Sequence, residues 1–281
     1  MTVAQATVDA IDEQLNTDYP LTDGQIQSYR QDGFIALDQV FTGAALAALR
    51  EATEAAVEAE KQADILGKSK ASLTRGVYEQ LFIQRVNLWT RHPAVRRFVL
   101  SSRVGNLAAR LCGRPVRIWH DQALFKEPGS GNNKTPWHQD AVYWPHQDRH
   151  DQITIWIALK DATIRNGCMS FVGGTQVLDN IPPIDLGNPE DIFRHAPHIK
   201  PVKPVTCELP AGSATFHNGL TFHYAGANKS DGIREALAII YMPDGTVYEG
   251  KNHVVTDPLR DKGLKAGDKL DGDLFPLVGT V

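Results

Sequence analysis

The feature that most constrains the fold of this 281-residue chain is a change of hydrophobic periodicity near residue 113. Before it, apolar residues recur at helical spacing, most clearly in GAALAALREATEAAVEAEKQ (43–62). After it come short alternating or β-branched runs, separated by Pro, Gly and Asn turns. These runs are 117–126, 151–160, 168–172, 213–218 and 234–242. Helices followed by about seven or eight strands predict an α+β protein with a sandwich or barrel core.

We interpret the chain as one domain, residues 1–281, with four consecutive parts. They are a loose N-terminal arm (1–20), a mainly helical support (21–112), a β core (113–245) and a C-terminal tail (246–281). Inside the core, the six prolines of 179–204 indicate a long loop over the mouth of the sandwich. The polar segment GKSKASLTRG (67–76) is also expected to be a loop, and both loops are candidate lids.

Local signals subdivide the helical part. Thr22 or Asp23 is a good N-cap and Gly33 a good stop for a first helix, which FIALDQVF (34–41) follows as a short strand. Residues 78–112 are expected to be mostly helical, with a break at His92-Pro93.

Composition excludes several classes of protein. The net charge of −4 and the pI of about 6.2 give no electrostatic footprint for nucleic acid or an anionic membrane. No segment is apolar over the length of a membrane span or resembles a signal peptide. The three cysteines, Cys112, Cys168 and Cys207, match neither a disulfide framework nor a zinc site. We therefore expect a cytoplasmic monomer or homodimer that acts on a small molecule.

The segment WHQDAVYWP (137–145) contains a candidate metal motif. Residues i and i+2 of a strand share a face, so His138 and Asp140 would present an imidazole and a carboxylate side by side. Two such ligands and a distant histidine form the facial triad of non-haem iron(II) oxygenases, which leaves three positions open. A second copy, His146-Gln147-Asp148, runs into a polar segment that is expected to be a solvated turn, so we favour the first copy.

Two histidines could supply the third ligand, His217 and His223, and strand parity does not separate them because Asn218-Gly219 interrupts the strand. Arg234, eleven residues after His223, favours His223. An arginine that opens the next strand would point into the same core as the histidine before the turn. Its guanidinium could bind the far carboxylate of a dicarboxylate co-substrate bidentately.

Four stretches make the chain resemble the phytanoyl-CoA dioxygenase-like family of iron(II)/2-oxoglutarate-dependent oxygenases, over about residues 21–245. They are LTDGQIQSYRQDGFIAL, WHQD, IWIALKDATIRNGCMSFVGGTQ and FHNGLTFHYAGANKSDGIREAL. The resemblance implies a double-stranded β-helix core of jelly-roll, cupin-like type, with N-terminal helices packed on one sheet. It also implies iron(II), 2-oxoglutarate and O2 as cofactor and co-substrates.

The resemblance further assigns roles to individual residues. It implies His138, Asp140 and His223 as iron ligands, with His217 as a histidine that does not bind the metal. Three residues fall on positions that bind 2-oxoglutarate or line its pocket: Arg234, Trp156 and, less closely, Lys126. The loop Gly173-Gly174-Thr175-Gln176 departs from the family's Pro-Gly-Ser-His, so no substrate role is carried over from it.

The expected reaction is hydroxylation or a related oxidation, with release of succinate and CO2. Halogenating relatives carry a small residue in place of the carboxylate, whereas this chain has Asp140. Candidate substrate contacts are Tyr143, Trp144, Lys68, Lys70 and Arg75. Two alternatives remain: a cupin-type metal enzyme that does not use 2-oxoglutarate, and a catalytically silent binding module of the same fold.

Overall fold

The computed structural model describes residues 3–65, 83–129, 134–179, 181–185, 188 and 191–281. Within these ranges the helices are α1 (Val3–Asn16), α2 (Asp23–Asp32), α3 (Gly43–Ile65), α4 (Leu88–Arg91), α5 (Pro93–Val99), α6 (Ser102–Cys112), α7 (Ile192–His195) and α8 (Asp257–Arg260). The strands are β1 (Phe34–Leu37), β2 (Ile83–Val86), β3 (Val116–Lys126), β4 (Thr135–His138), β5 (Ile153–Ala158), β6 (Met169–Phe171), β7 (Val205–Cys207), β8 (Ala214–Asn218), β9 (His223–Ala225), β10 (Arg234–Pro243) and β11 (Leu277–Gly279).

Two antiparallel sheets form the core. The larger has the order β1-β8-β5-β10-β3-β11, with β2 also paired to β3, and the smaller has the order β4-β9-β6-β7. Residues of both sheets share one hydrophobic cluster, for example Trp156 and Ala238 of the larger and Phe171 and Ala225 of the smaller. The prediction of an α+β fold with a jelly-roll core of two sheets is confirmed.

The N-terminal helices cover the outer face of the larger sheet, as predicted. A second hydrophobic cluster joins Leu49 of α3, Phe98 of α5 and Leu107 of α6 to Ile155 of β5 and Ile239 of β10. Because β5 and β10 are covered on both faces, every residue of these strands is buried, and they are continuous apolar runs with little alternation. In the described ranges, no helix is long and apolar enough to cross a membrane.

The N-terminus differs from the sequence prediction. The loose arm expected over 1–20 is wrong for Val3–Asn16, which form α1. Ile11 and Leu15 are buried in the helical cluster, and the Arg103 guanidinium donates 2.8 Å to the carbonyl of Thr17. The buried face of α1 consists of little more than Ile11 and Leu15. The helix is therefore stabilised mainly by packing against the other helices.

The expectation of a mostly helical segment over 78–112 is correct only from Leu88 onward. Ile83–Val86 form β2, which pairs antiparallel with β3, and Asn87 then takes a left-handed conformation (φ 57°) that turns the chain into α4. The break at His92-Pro93 is confirmed, because α4 ends at Arg91 and α5 begins at Pro93. A four-residue strand next to helices leaves too short a pattern to be separated from them.

Helix α2, the first helix predicted from the sequence, follows its local signals closely. Thr22 and Gln25 form a capping box at the start of α2, and Gly33 ends the helix in the left-handed region (φ 75°). A Cβ at Gly33 would lie 2.4 Å from Gln176 Oε1, so the position needs glycine for space as well as for conformation. Of the strand expected over 34–41, only Phe34–Leu37 is extended, and α3 continues beyond the predicted residue 62 to Ile65.

The described residues of the 179–204 insertion, and the C-terminal tail, include ordered elements that pack against the core. The insertion contains α7 and a 3-10 turn, Pro197–Ile199, which contribute Ile192 and Ile199 to a small apolar cluster with Phe222. The tail buries Tyr248, Leu270 and Phe275 against the core between the sheets. Both segments therefore belong to the walls of the sandwich.

A buried carboxyl on β3 gives a prediction about pH. Asp121 is fully buried, accepts a hydrogen bond from the Trp89 N–H at 3.1 Å, and has a pKa raised to about 7, mainly by burial. Its folded pKa lies above its unfolded pKa, so its contribution to stability is complete below pH ~4 and is lost as the pH rises through ~7. We expect Asp121→Asn to raise the free energy of unfolding at pH 8 by up to about 4 kcal/mol.

The same substitution should leave stability near pH 4 almost unchanged, which denaturant unfolding at both values would measure. The exposed Asp273 provides the control, since Asp273→Asn should change neither value. An equal effect of Asp121→Asn at pH 4 and pH 8 would contradict the assignment of the shift to Asp121.

Candidate metal centre and co-substrate pocket

A cavity of about 340 Å³ lies between the sheets. It brings together seven of the predicted site residues and the alternative histidine: His138, Asp140, His223, Arg234, Trp156, Tyr143, Trp144 and His217. Lys126 is not among the residues that line it. The predicted contacts Lys68, Lys70 and Arg75 lie outside the described residues.

Strand register arranges the inner face of the larger sheet in rows. One row contains His120, Ile240, Thr154 and His217 from four adjacent strands. The next contains Gln122, Ala238, Trp156 and Thr215, the third Leu124, Ala236 and Ala158, and the last Lys126 and Arg234. Successive rows are two residues, or roughly 7 Å, apart along a strand. The Thr154 row and the Arg234 row are therefore at opposite ends of the same face.

The predicted triad converges at the edge of the smaller sheet. His138 of β4 pairs directly with His223 of β9, and their ring centroids are 4.1 Å apart. Asp140 Oδ1 lies 3.4 Å from His138 Nε2 and 3.6 Å from His223 Nε2. One ligand atom of each residue lies within 4.8 Å of the others, and within the described ranges no other group of His, Cys, Asp and Glu does so.

Asp140 reaches this position differently from the sequence argument. Strand β4 ends at His138, and Asp140 has helical backbone angles (φ −76°, ψ −48°) at the start of the 3-10 turn Ala141–Tyr143. The prediction that the carboxylate lies beside the imidazole holds, although its basis in strand alternation was wrong.

Hydrogen bonds at the far ring nitrogens orient both triad histidines. His138 Nδ1 lies 2.7 Å from the Pro136 carbonyl oxygen, and His223 Nδ1 lies 2.9 Å from that of Thr221. A carbonyl only accepts, so both Nδ1 atoms carry the proton and both Nε2 atoms present lone pairs to the centre. Burial, and then the nearby His138, holds the pKa of His223 well below its usual value, which keeps this ligand neutral.

The second carboxylate oxygen separates His217 from His223. Asp140 Oδ2 accepts from Thr154 Oγ1 at 3.1 Å and lies 3.4 Å from His217 Nε2. For that contact to be a hydrogen bond, His217 must carry its proton on Nε2, so it has no lone pair there for a metal. His217 thus orients Asp140, and only Oδ1 faces the centre.

The charge of the centre suits a divalent cation. Burial alone would raise the pKa of Asp140, but the hydrogen bond from His217 holds it below its usual value, so the carboxylate is ionised. Two neutral imidazoles and one carboxylate oxygen are the donor set of a 2-His-1-carboxylate site. The residues present therefore fit such a metal.

The hydroxyl of Thr154 gives a prediction about metal affinity. Replacing it in Thr154→Val keeps the shape but removes a hydrogen bond to Asp140 Oδ2, so we expect metal affinity to fall about tenfold. Thr215 is the matched control, because it is also buried, lies in the next row and has a hydroxyl with no hydrogen-bond partner in the ranges that the structure describes. Metal titration of Thr154→Val and Thr215→Val would show the difference; equal affinities would contradict it.

Arg234 is a buried cation with incomplete hydrogen bonding. It is 2% exposed, its Cζ lies 4.9 Å from the centre of the Trp156 ring, and its Nε and Nη1 have no partner among the described residues. Burial lowers its pKa to about 10, which still leaves it charged near neutral pH. Leaving such a group unpaired is costly, so the site fits an anionic ligand.

Lys126 lies opposite Arg234 but behind the cavity wall. Its Nζ donates 2.8 Å to the carbonyl of Gly226, and burial, followed by the Arg234 charge, lowers its pKa to about 6. Its role in co-substrate binding therefore stays a prediction.

Tyr143, three residues after Asp140, connects the cavity to the insertion. The Tyr143 hydroxyl donates to the carbonyl of Ile184 at 3.0 Å and accepts from its N–H at 3.1 Å. Gln139, between the two ligands, donates to the carbonyls of Leu178 and Leu220. The insertion is thus tied to the motif itself. That Tyr143 and Trp144 contact the substrate remains a prediction.

The rejected motif and the divergent loop have structural roles. His146 is buried, with its Nδ1 bonded to Gln152 Oε1 at 2.8 Å, while Asp148 is exposed, so this pair does not converge on one point. The sequence predicts a solvated turn here, and for the buried His146 that prediction is wrong. In the Gly173–Gln176 loop, Gln176 donates to the carbonyls of Arg30 and Gln31 at the end of α2.

Sequence reasoning missed several residues of the cavity wall. Thr154, two positions before Trp156, could have been found from strand alternation, and so could His120 and Gln122 on the strand of Lys126. His253 and Val254 come from the C-terminal tail, and no sequence pattern connects them to the site.

Comparisons with known proteins agree with this geometry. The model of the family described as phytanoyl-CoA dioxygenase (PhyH) matches residues 29–236. The zebrafish (Danio rerio) phytanoyl-CoA dioxygenase domain-containing protein 1 is 25% identical, in an alignment that covers 83% of this chain and 94% of that protein.

Two solved structures share the fold. The non-haem α-ketoglutarate-dependent carbocyclase SnoK from nogalamycin biosynthesis is 28% identical with a TM-score of 0.77, covering 92% of this chain and 97% of its own. The epimerase SnoN in complex with Fe3+, α-ketoglutarate and nogalamycin RO is 26% identical with a TM-score of 0.71, covering 91% and 98%.

Proposed function

Because this chain belongs to the phytanoyl-CoA dioxygenase family, we propose that His138, Asp140 and His223 hold iron(II) and that Arg234 binds 2-oxoglutarate. The chain is an iron(II)- and 2-oxoglutarate-dependent oxygenase that acts on a small molecule. One observation supports the residue assignments above all. Two Nε2 lone pairs and one carboxylate oxygen converge in the same cavity as a buried guanidinium whose Nε and Nη1 have no partner among the described residues.

The residues of the chain bind the co-substrate, orient the metal ligands and exclude water from the centre. Arg234 pairs with the distal carboxylate of the co-substrate, and the Trp156 ring beneath its guanidinium limits where that group can lie. Thr154 and His217 hold Asp140 so that one oxygen faces the centre. When bound, iron(II) supplies the activation of O2, with conversion of 2-oxoglutarate to succinate and CO2 and oxidation of the substrate.

Hydroxylation is the reaction that we propose for this chain. The carboxylate of Asp140 occupies the position that halogenating relatives leave open, which favours hydroxylation or a related oxidation over halogenation. The similar proteins SnoK and SnoN are described as a carbocyclase and an epimerase, so related chains with this fold perform other reactions as well.

We also propose a cytoplasmic location and a lid. Iron(II) is maintained in a reducing compartment, and the three cysteines are free thiols in the structure. The insertion is one candidate lid, because the hydroxyl of Tyr143, which lines the cavity, bonds to the backbone of Ile184. The other candidate, residues 67–76, lies outside the described residues.

The test has two parts. Titrating 2-oxoglutarate into the anaerobic iron(II)-loaded protein should produce a visible charge-transfer absorption. Iron binding without this absorption would favour a cupin-type enzyme that does not use the co-substrate. A screen of small molecules for stimulated succinate release should then give hits that Asp140→Ala abolishes. Unchanged activity in that variant would contradict the triad, and no succinate under any condition would favour a silent binding module.

A further inference from the structure

Aromatic and imidazole rings form one wall of the cavity. His120 of β3, Trp144 and His253 of the C-terminal tail all line it, and we call these three residues the histidine–tryptophan wall. The His120 ring centroid lies 6.4 Å from that of Trp144 and 6.1 Å from that of His253. Behind them, Trp119 packs 5.1 Å from His253 and 4.4 Å from His146.

The wall lies away from the proposed co-substrate subsite. His120 is in the same row as Thr154, which holds Asp140, whereas the Arg234 backbone is three rows further along the sheet and its guanidinium lies over Trp156 in the next row. A co-substrate that joins the centre to Arg234 extends over Trp156 and leaves the wall uncovered. The wall is therefore the surface on which a second molecule can approach the centre.

The wall carries no formal charge near neutral pH. Burial lowers the pKa of His253 to about 4 and that of His146 to about 3, and burial with the neighbouring His253 holds the pKa of His120 well below its usual value. Among the described residues that line the cavity, Arg234 and Asp140 are the two with formal charges. The co-substrate and the metal would use both, so no described charge is left to pair with a charged substrate.

Neutral hydrogen-bonding groups remain. His253 Nδ1 accepts from the Val255 N–H at 3.2 Å, so the proton of the neutral ring is on Nε2, which is a donor. His120 is 5% exposed, and its buried Nδ1 has no hydrogen-bond partner within the described part of the chain. Beside it, the Gln122 side chain accepts a hydrogen bond from Gln84 at 2.5 Å on the same wall of the cavity. A ligand that met this surface would gain from ring packing and from uncharged polar groups.

We propose that the histidine–tryptophan wall binds the substrate and selects an uncharged, ring-containing molecule that bears hydroxyl or carbonyl groups. This inference rests on the proposed function, since it places the substrate opposite the co-substrate. His253 lies outside the 29–236 match to the family, so this part of the specificity belongs to the C-terminal tail of this chain. An anionic thioester or a phosphate ester would meet no described cation on this wall.

Three probes with the same ring test the proposal: 2-naphthol, which is neutral and polar, naphthalene, which is apolar, and 2-naphthoate, which is anionic. Binding is measured by equilibrium dialysis against the full chain loaded with Mn(II) and 2-oxoglutarate. The bound 2-oxoglutarate keeps Arg234 from pairing with 2-naphthoate. We expect 2-naphthol to bind at least tenfold more tightly than 2-naphthoate and more tightly than naphthalene. Equal or tighter binding of 2-naphthoate, or no binding of any probe up to its solubility, would overturn the proposal.

Two variants connect the preference to the wall. His253→Phe and His120→Phe keep a ring but remove its hydrogen bonds, so each should reduce the preference for 2-naphthol over naphthalene several-fold. His150→Phe is the control, because His150 is exposed and does not line the cavity. If His120→Phe fails to fold, His253→Phe decides alone. A preference unchanged in His253→Phe would overturn the assignment.

Failure of the proposed function can be recognised separately. Binding of 2-oxoglutarate is measured first, and a protein that does not bind it contradicts the oxygenase assignment. The probes are then compared on Arg234→Gln, which removes the cation without needing the co-substrate. A protein that binds 2-oxoglutarate but ranks the three probes equally contradicts only the wall.

Discussion

Replacing His223 with alanine is expected to weaken metal binding far more than replacing His217 with alanine. His223 presents a lone pair on Nε2 because its Nδ1 donates to the carbonyl of Thr221. His217 instead contacts the second oxygen of Asp140. Loss of a direct ligand should exceed the ~10–100-fold cost of removing an orienting partner. We therefore expect affinity to fall more than a hundredfold in His223→Ala and about tenfold in His217→Ala.

The two histidines are a well-matched pair, since both are buried, both line the cavity and their ring centroids are 4.5 Å apart. Anaerobic iron(II) titration measures affinity, and succinate release measures turnover. Circular dichroism spectra of both variants would show that each retains its fold. Equal loss of metal in the two variants would contradict the roles assigned here, and a larger loss in His217→Ala would exchange them.

Replacing Arg234 with methionine is expected to have opposite effects on co-substrate binding and on stability. Loss of two charge-assisted hydrogen bonds to a carboxylate, about 3 kcal/mol together, should raise the KM for 2-oxoglutarate roughly a hundredfold. The same change removes a buried cation whose Nε and Nη1 have no partner among the described residues. We therefore expect the free energy of unfolding of the protein without 2-oxoglutarate to rise by about 1–2 kcal/mol.

Arg103 provides the matched control. It is also a buried arginine, but its guanidinium donates to the carbonyls of Val40 at 2.6 Å and Thr17 at 2.8 Å. Arg103→Met should therefore lower stability and leave the KM unchanged. Denaturant unfolding and steady-state kinetics on both variants measure these effects. Arg234→Met with lower stability and an unchanged KM would show that Arg234 serves the fold rather than the co-substrate.

The parts of the structure that follow from sequence are those with strong local signals. Thr22, Gln25 and Gly33 define the ends of α2 by capping chemistry, and the apolar runs of β5 and β10 are long enough to identify. His138 and Asp140 are two residues apart along the chain, so their proximity needs little tertiary information. The spacing of His223 and Arg234 around a turn predicts that both side chains point into the same core.

The remainder depends on contacts that no local pattern encodes. Helix α1 is held by packing of Ile11 and Leu15 against other helices, and β2 is defined by its partner strand. His253 reaches the cavity only because the C-terminal tail folds back over the core. The orientation of Asp140 likewise depends on Thr154 and His217, which are distant along the chain.

The row arrangement of the larger sheet also sets a length limit. The Arg234 guanidinium lies over Trp156, and Thr154, one two-residue step further along β5, holds Asp140. That step is roughly 7 Å and is fixed by strand geometry, because every residue of β5 is buried between two layers. If Arg234 and the triad bind the two ends of 2-oxoglutarate as proposed, this step sets the length of diacid that the pocket accepts. A shorter 2-oxo diacid would then not reach both ends at once, and a longer one would have to bend.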